Sequence, residues 1–252
     1  MDEEVLKGKT LLVVDDEADL REIVSSELEF MGAKVYQAEN VSVAKSIVNA
    51  HKIDLIISDI RMPGGTGIDL LNYIKAKSYN VPPIILITGF ADISTEDAFN
   101  RGAEALLSKP FKLEELIQMA IRLTSPAYER YVHPVASINK ELEFLFNDIL
   151  THKIETHECA IGRGGITLQV DTPKANKWDN GDVLNFNLKF KDVDLQGTAI
   201  CRWWKSQENS SKATFGLEFV QLSDETYDFF NQYWQGHTII PFIPSLDARP
   251  QG

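Results

Sequence analysis

From Lys9 to about Leu123, short apolar runs alternate with stretches of helical period, the runs falling near residues 10–15, 33–38, 53–59, 83–88 and 104–108. Between them, Leu20, Ile23, Val24 and Leu28 recur at helical spacing within residues 19–30, and Ile68, Leu71 and Ile74 repeat the pattern. Runs with no polar alternation suit strands buried on both faces, and strand–helix alternation predicts a parallel sheet covered on each side. The expected first domain is therefore an α/β doubly wound five-stranded parallel sheet. Its last helix, residues 113–123, stops before Ser125-Pro126, because proline cannot continue a helix.

The period then changes. Ile138, Leu142, Leu145, Phe146 and Ile149 recur with helical spacing, predicting an amphipathic connector whose stripe serves intramolecular packing and dimer formation equally well. Beyond Lys153 the pattern alternates every second residue: Leu184, Phe186, Leu188 and Phe190 with Asn185, Asn187 and Lys189, and Phe215, Leu217 and Phe219 with Gly216 and Glu218. Polar turn clusters at 174–177, 191–194 and 207–211 separate these strands, predicting a small all-β barrel. A C-terminal helix over 224–234 sets Tyr227, Phe230 and Trp234 on one face to cover it, and the tail past Gly236 reads as frayed. The expected organisation is 1–124 for the first domain, 125–152 for the connector, 153–240 for the barrel domain and 241–252 for the tail.

Length agrees with two domains, since 252 residues exceed the usual size of one. Acidic residues outnumber basic ones 37 to 25, a net charge of −12, which disfavours binding to DNA because that needs a basic face. The acidic start Met1-Asp2-Glu3-Glu4 is unlike a signal peptide, and no apolar run approaches a membrane span, so a cytoplasmic protein without membrane insertion is expected. Cys159 and Cys201 stand apart with no metal-type spacing, and buried thiols are the simple expectation.

The chemistry gathers at strand ends. Leu11 to Val14 ends in Asp15-Asp16, Leu55 to Ser58 in Asp59, Ile84 to Ile87 in Thr88, and the run 105–108 in Lys109-Pro110. Open α/β sheets bind ligands at that carboxyl edge. A carboxylate is a competent nucleophile toward phosphorus, so Asp59 suits a phosphoryl acceptor. Asp15, Asp16, Asp59 and the backbone carbonyl of Arg61 form an oxygen set fit for Mg²⁺, Lys109 offers a point charge to a phosphoryl oxygen, and Thr88 offers a hydroxyl. Each taken alone is an ordinary turn or loop residue; their order and shared position carry the site. A haloacid-dehalogenase type of hydrolase would need a second Asp two residues after the nucleophile, and Arg61 occupies that place. Turnover as an enzyme is not expected.

These stretches, Val13-Val14-Asp15-Asp16-Glu17, Ser58-Asp59-Ile60-Arg61-Met62-Pro63-Gly64, Thr88-Gly89 and Ser108-Lys109-Pro110-Phe111, make residues 8–123 resemble a response-regulator receiver domain of flavodoxin-like fold. The resemblance implies that Asp59 takes a phosphoryl group from a histidine kinase or phosphotransfer protein, with Mg²⁺ required. Two departures stand out. Leu106 occupies the place, three before the lysine, where many receivers carry an aromatic residue that reports phosphorylation. Arg61 and Phe90, two residues after Asp59 and Thr88, are bulky and are expected to restrict attacking water.

Residues 153–235 resemble a PilZ domain through Ala160-Ile161-Gly162-Arg163-Gly164-Gly165-Ile166-Thr167-Leu168, Asn180-Gly181-Asp182 and Phe215-Gly216-Leu217-Glu218-Phe219-Val220-Gln221-Leu222. That family receives cyclic di-GMP through an RxxxR stretch and a [D/N]xSxxG motif. Here Arg130 stands alone beside Tyr131, and Ala160 and Gly162 replace the acidic or amide residue and the serine. Arg163 and Arg202 are the weak remaining candidates for a phosphate contact, and Trp203-Trp204 for a stacking platform. Adjacent strand residues face opposite sides, so one Trp is expected in the core and one outside. His152, His157 and Cys159 lack a fourth metal partner and read as polar hairpin residues. The expected output domain therefore signals through contacts with a downstream protein, without cyclic di-GMP; the alternative is a true dinucleotide receptor that integrates both signals.

Overall fold

The computed structural model describes residues 4–77, 82–89, 92–125, 159–171, 180–190, 193–206, 212–234 and 241–245. The chain divides into two compact units, Met1–Ser125 and Pro126–Gly252. The expected connector helix over 125–152, except its first residue, lies outside the described residues, as do Arg130, Tyr131, His152 and His157.

In the first unit, strands β1 (Thr10–Val14), β2 (Lys34–Ala38), β3 (Leu55–Asp59), β6 (Ile84–Thr88) and β7 (Ala105–Ser108) form one sheet in the order β2-β1-β3-β6-β7, every pairing parallel. The short pair β4 (Arg61–Met62) and β5 (Gly65–Thr66) lies just after β3. Helices α1 (Ala18–Phe30), α2 (Val41–Ala50), α3 (Gly67–Lys75), α4 (Thr95–Asn100) and α5 (Leu113–Thr124) complete the layers.

Successive strand residues alternate between two cores. Leu11, Val13, Leu55, Ile57, Ile85, Ile87 and Leu107 pack with Val24 and Leu28 of α1 and Leu116, Ile117 and Ala120 of α5. Leu12, Val14, Ile56, Ile84 and Leu86 face the other way onto Ala44 of α2, Leu70, Leu71 and Ile74 of α3, and Ala98 of α4. Both faces are thus covered, which is why these strands carry no polar alternation. Along α1, Val24 and Leu28 are buried, whereas Ile23 is 57% exposed: the helical stripe is narrower than its spacing predicted.

The second unit holds β8 (Cys159–Ile161), β9 (Gly165–Asp171), β10 (Val183–Phe190), β11 (Val193–Ser206) and β12 (Lys212–Leu222) in one antiparallel sheet, order β10-β11-β12-β9-β8, followed by helix α6 (Asp224–Trp234). Among the described residues the sheet ends at β10 and β8, and no pairing closes the expected barrel. Leu184, Phe186, Leu195, Phe215, Leu217 and Phe219 form its core, covered by Phe230 of α6, whose ring lies 5.5 Å from that of Phe219. Tyr227 packs beside it as the helical face predicted.

Central position overrides alternation in β12, where Ala213 to Val220 are all buried, Glu218 included. Trp203 is buried and Trp204 is 44% exposed. A register shift between Cys201 and Trp203 sets Trp203 opposite Gly216, where a Cβ would come within 2.1 Å of the indole. The Cys201 thiol is buried and donates to the Trp203 carbonyl oxygen at 3.6 Å.

Residues 241–245 correct the expectation of a frayed tail. Phe242 and Ile243 are buried, the Gly164 N–H donates to the Phe242 carbonyl at 3.1 Å, and the Thr167 hydroxyl donates to the Pro244 carbonyl. A Cβ on Gly162 would lie 2.0 Å from the Pro241 oxygen, and one on Gly164 2.1 Å from the Phe242 ring. The glycines between β8 and β9 therefore make room for the chain's own C-terminal segment.

At the amino-terminal edge of the parallel sheet, Lys75 Nζ sits 2.9 Å from Glu104 Oε1, both side chains almost fully buried, and Glu104 Oε2 accepts the Ile84 N–H at 2.7 Å. Removing one partner strands the other charge in a low-dielectric interior. Lys75→Met is expected to cost about 3–5 kcal/mol in urea unfolding, and adding Glu104→Gln to recover much of it.

Candidate functional site

The order β2-β1-β3-β6-β7 reverses direction between β1 and β3, so their carboxyl ends flank the crevice where doubly wound sheets bind ligands. Asp15 directly follows β1 and Asp59 closes β3; Thr88 closes β6, and Lys109 follows β7. Asp15, Asp59 and Thr88 are all buried at this edge, at 3%, 5% and 5% exposure. A turn with Gly64 at φ +80° leads to α3, which begins at Gly67. A Cβ on Gly67 would stand 2.3 Å from the Asp59 carbonyl oxygen, so only glycine lets α3 start this close to Asp59. A capping box between Thr66 and Asp69 fixes that start.

Lys109 gathers the acidic groups. Its ammonium lies 3.0 Å from Asp59 Oδ1, 3.4 Å from Asp15 Oδ2 and 3.4 Å from Glu17 Oε1. The remaining carboxylate oxygens take backbone donors: Asp15 Oδ1 accepts the Glu17 N–H at 2.8 Å, and Asp59 Oδ2 accepts the Arg61 N–H at 3.0 Å. Burial pushes the Asp15 carboxyl above its ordinary range, partly opposed by the Glu17 N–H and the Lys109 charge. Burial would depress Lys109, but the carboxylates of Asp59 and Asp15 outweigh it and hold the ammonium above the usual lysine value. The result is an ionised, positioned cation touching two buried carboxyl groups.

The other predicted residues are distributed around this centre. Asp16 is exposed beside Asp15, and among the described residues no three acidic, histidine or cysteine side chains stand together in a metal-binding arrangement. Mg²⁺ is commonly held by one or two carboxylates and waters, so the Asp15–Asp59 pair with the Arg61 backbone suits that ion, with Asp16 on the solvent side. Leu106 is half-buried and packs into the core beneath α3 and α4. Phe90 lies outside the described residues. In the second unit, the Arg163 guanidinium lies 5.9 Å from the centre of the Phe242 ring, and Arg202 Nε donates to the buried Glu218 carboxylate.

Two residues escaped the strand-end logic. Glu17 reaches Lys109 from the first turn beyond β1. Asp92, four residues after Thr88, has a largely covered side chain with its two oxygens divided: Oδ2 accepts the Thr88 hydroxyl at 3.1 Å and Oδ1 accepts Arg61 Nε–H. Their only sequence signal is an acidic residue shortly after a strand-end Asp or Thr, which ordinary loops share.

The response regulator receiver domain family model matches residues 11–121. The chain is similar to the phosphate regulon transcriptional regulatory protein PhoB of Shigella dysenteriae, 31% identical over 163 residues, 62% of this chain and 68% of that protein. PhoB of Pseudomonas aeruginosa is 36% identical over 47% of this chain and 54% of its own length, and the response regulator PilR of the same organism 35% identical over 47% and 27%. The chain thus spans about half the length of the first of these two and about a quarter of the second. Among solved structures, the response regulator TrrA from Thermotoga maritima in complex with Mg²⁺-BeF is 32% identical, covers 46% of this chain and 98% of that one, and gives a TM-score of 0.42. The receiver domain of NtrX from Brucella abortus is 33% identical over 45% of this chain and 97% of that one, with a TM-score of 0.43. The chain belongs to the two-component response regulators, and residues 11–121 are its receiver domain.

Because the folded chain binds a proton on Asp15 more tightly than the unfolded chain does, the ionised carboxylate costs stability once pH exceeds its raised folded value. At neutral pH in metal-free buffer, Asp15→Asn is therefore expected to raise stability by about 1 kcal/mol, a shift of a few degrees in thermal unfolding. The gain should shrink as pH falls through the carboxylate range.

Proposed function

We propose that Asp59 is the phosphoryl acceptor of this receiver and that the second unit is a PilZ-like output domain acting through protein contacts. The observation that carries the first part is the Lys109 ammonium in contact with both Asp59 and Asp15 at the carboxyl edge of the parallel sheet. A carboxylate oxygen of Asp59 attacks phosphorus while the phosphorus–nitrogen bond of a kinase's or phosphotransfer protein's phosphohistidine breaks, the electron pair leaving with the imidazole. Lys109 then exchanges carboxylate contact for a phosphoryl oxygen, and the Thr88 hydroxyl donates to another. Asp15 and Asp59, with the Arg61 carbonyl and Asp16 from the solvent side, would hold Mg²⁺, which would supply positive charge to the phosphoryl oxygens. With Arg61 where a hydrolase needs its acid, the phosphate serves as a signal rather than an intermediate in turnover.

For the second part, the supporting features are an antiparallel sheet covered by one helix and the Gly162-Arg163-Gly164-Gly165 stretch at the β8–β9 hairpin. Contacts around that hairpin and on β11 disfavour cyclic di-GMP. Arg202 is engaged by Glu218, Arg163 lies on Phe242, and residues 241–244 cover the hairpin.

Incubating the full chain with acetyl phosphate and Mg²⁺ should add one phosphoryl group to the intact mass, with none on Asp59→Ala and none after EDTA. Uptake that survives Asp59→Ala would sink the acceptor assignment. Calorimetry of the full chain with cyclic di-GMP should show no heat of binding; micromolar or tighter affinity would instead establish the dinucleotide-receptor alternative.

A further inference from the structure

The Thr88 hydroxyl is already committed before any phosphoryl group arrives. Its single hydrogen is donated to Asp92 Oδ2 at 3.1 Å, and a hydroxyl can serve only one acceptor at a time. Asp92 is itself held: its side chain is 5% exposed, and Oδ1 takes the Nε–H of Arg61, whose side chain is 74% exposed. Arg61 also donates its backbone N–H to Asp59 Oδ2 at 3.0 Å. One residue thus links the acceptor, through its backbone, to the carboxylate that holds the hydroxyl, through its side chain.

We propose that Asp92 is a positioning residue that, steadied by Arg61, keeps the Thr88 hydroxyl turned from Asp59 in the unphosphorylated receiver. This rests on the phosphoryl-acceptor reading of Asp59. To reach a phosphoryl oxygen, Thr88 must abandon a charge-assisted hydrogen bond, the stronger kind because its acceptor is ionised. Arg61 then remains on Asp92, so the carboxylate released by Thr88 keeps a cationic partner and the loop after β6 keeps its anchor. The arrangement opposes phosphorylation in the resting state and sets a threshold that the arriving phosphoryl group overcomes.

The test compares full-length wild type, Asp92→Ala and Arg61→Gln without any phosphoryl donor, reading the Thr88 side-chain rotamer by NMR from three-bond couplings to its methyl group. Wild type should show one rotamer, Asp92→Ala averaging among several, and Arg61→Gln a smaller loss of order. A single, unaltered rotamer in both variants would overturn the assignment. This readout needs no phosphorylation, so its failure is distinct from failure of Asp59 as acceptor. With acetyl phosphate and Mg²⁺, Asp92→Ala should be phosphorylated about tenfold faster, equivalent to about 1.4 kcal/mol at the barrier. The gain should vanish in a Thr88→Val background. A gain that persists there would assign the effect to the Asp92 charge alone and overturn the positioning role.

Discussion

Two buried carboxyl groups at the ends of adjacent strands repel one another, and the ammonium of Lys109 is what makes their proximity tolerable. The rest of the first unit is arranged to let that contact form. The parallel order sets β1 beside β3, so Asp15 and Asp59 share one crevice, and places Lys109 after β7, from which its side chain reaches back across the edge. Gly67 allows α3 to start against the Asp59 carbonyl, and Lys75 with Glu104 secures the opposite edge of the same sheet. A site that needs buried like charges sits at one lip of the sheet, with a paired set of opposite charges at the other.

The second unit is governed by shape. Its central strand is buried on both faces, so even Glu218 lies inside and takes Arg202 as its partner. Where two segments approach closely, glycine replaces a side chain: Gly216 under Trp203, and Gly162, Gly164 and Gly165 under residues 241–244. The stretch that resembles a ligand hairpin is thereby given a local steric purpose. A glycine needed for packing and one needed for a ligand are the same letter, and the structure supplies the packing partner.

The receiver half was legible because its signals are redundant. Five runs constrain the topology and four of them end in a polar residue that constrains the site, and Asp15, Asp59, Thr88 and Lys109 stand at the strand ends where that logic puts them. Ile23 departs from its helical spacing because spacing does not encode how wide a buried stripe is; the sheet beneath α1 covers Val24 and Leu28 and leaves Ile23 in water. Residues 241–244 depart from the sequence pattern for a related reason. Pro241-Phe242-Ile243-Pro244 has no periodicity, and its order comes from hydrogen bonds and burial against β9, a partner about 80 residues earlier.

The amino-acid sequence by itself determined the parallel architecture, the strand-end carboxylates and their cationic companion, because strand periodicity and strand-end chemistry are local properties. Only the tertiary structure decided which of the clustered acids meet Lys109, that Asp16 stays in solvent, and that Asp92 holds Thr88 and Arg61 together. Those outcomes depend on how loops fold back over the sheet edge, where contacts a few ångströms long join residues between 4 and 94 positions apart. No local pattern encodes them.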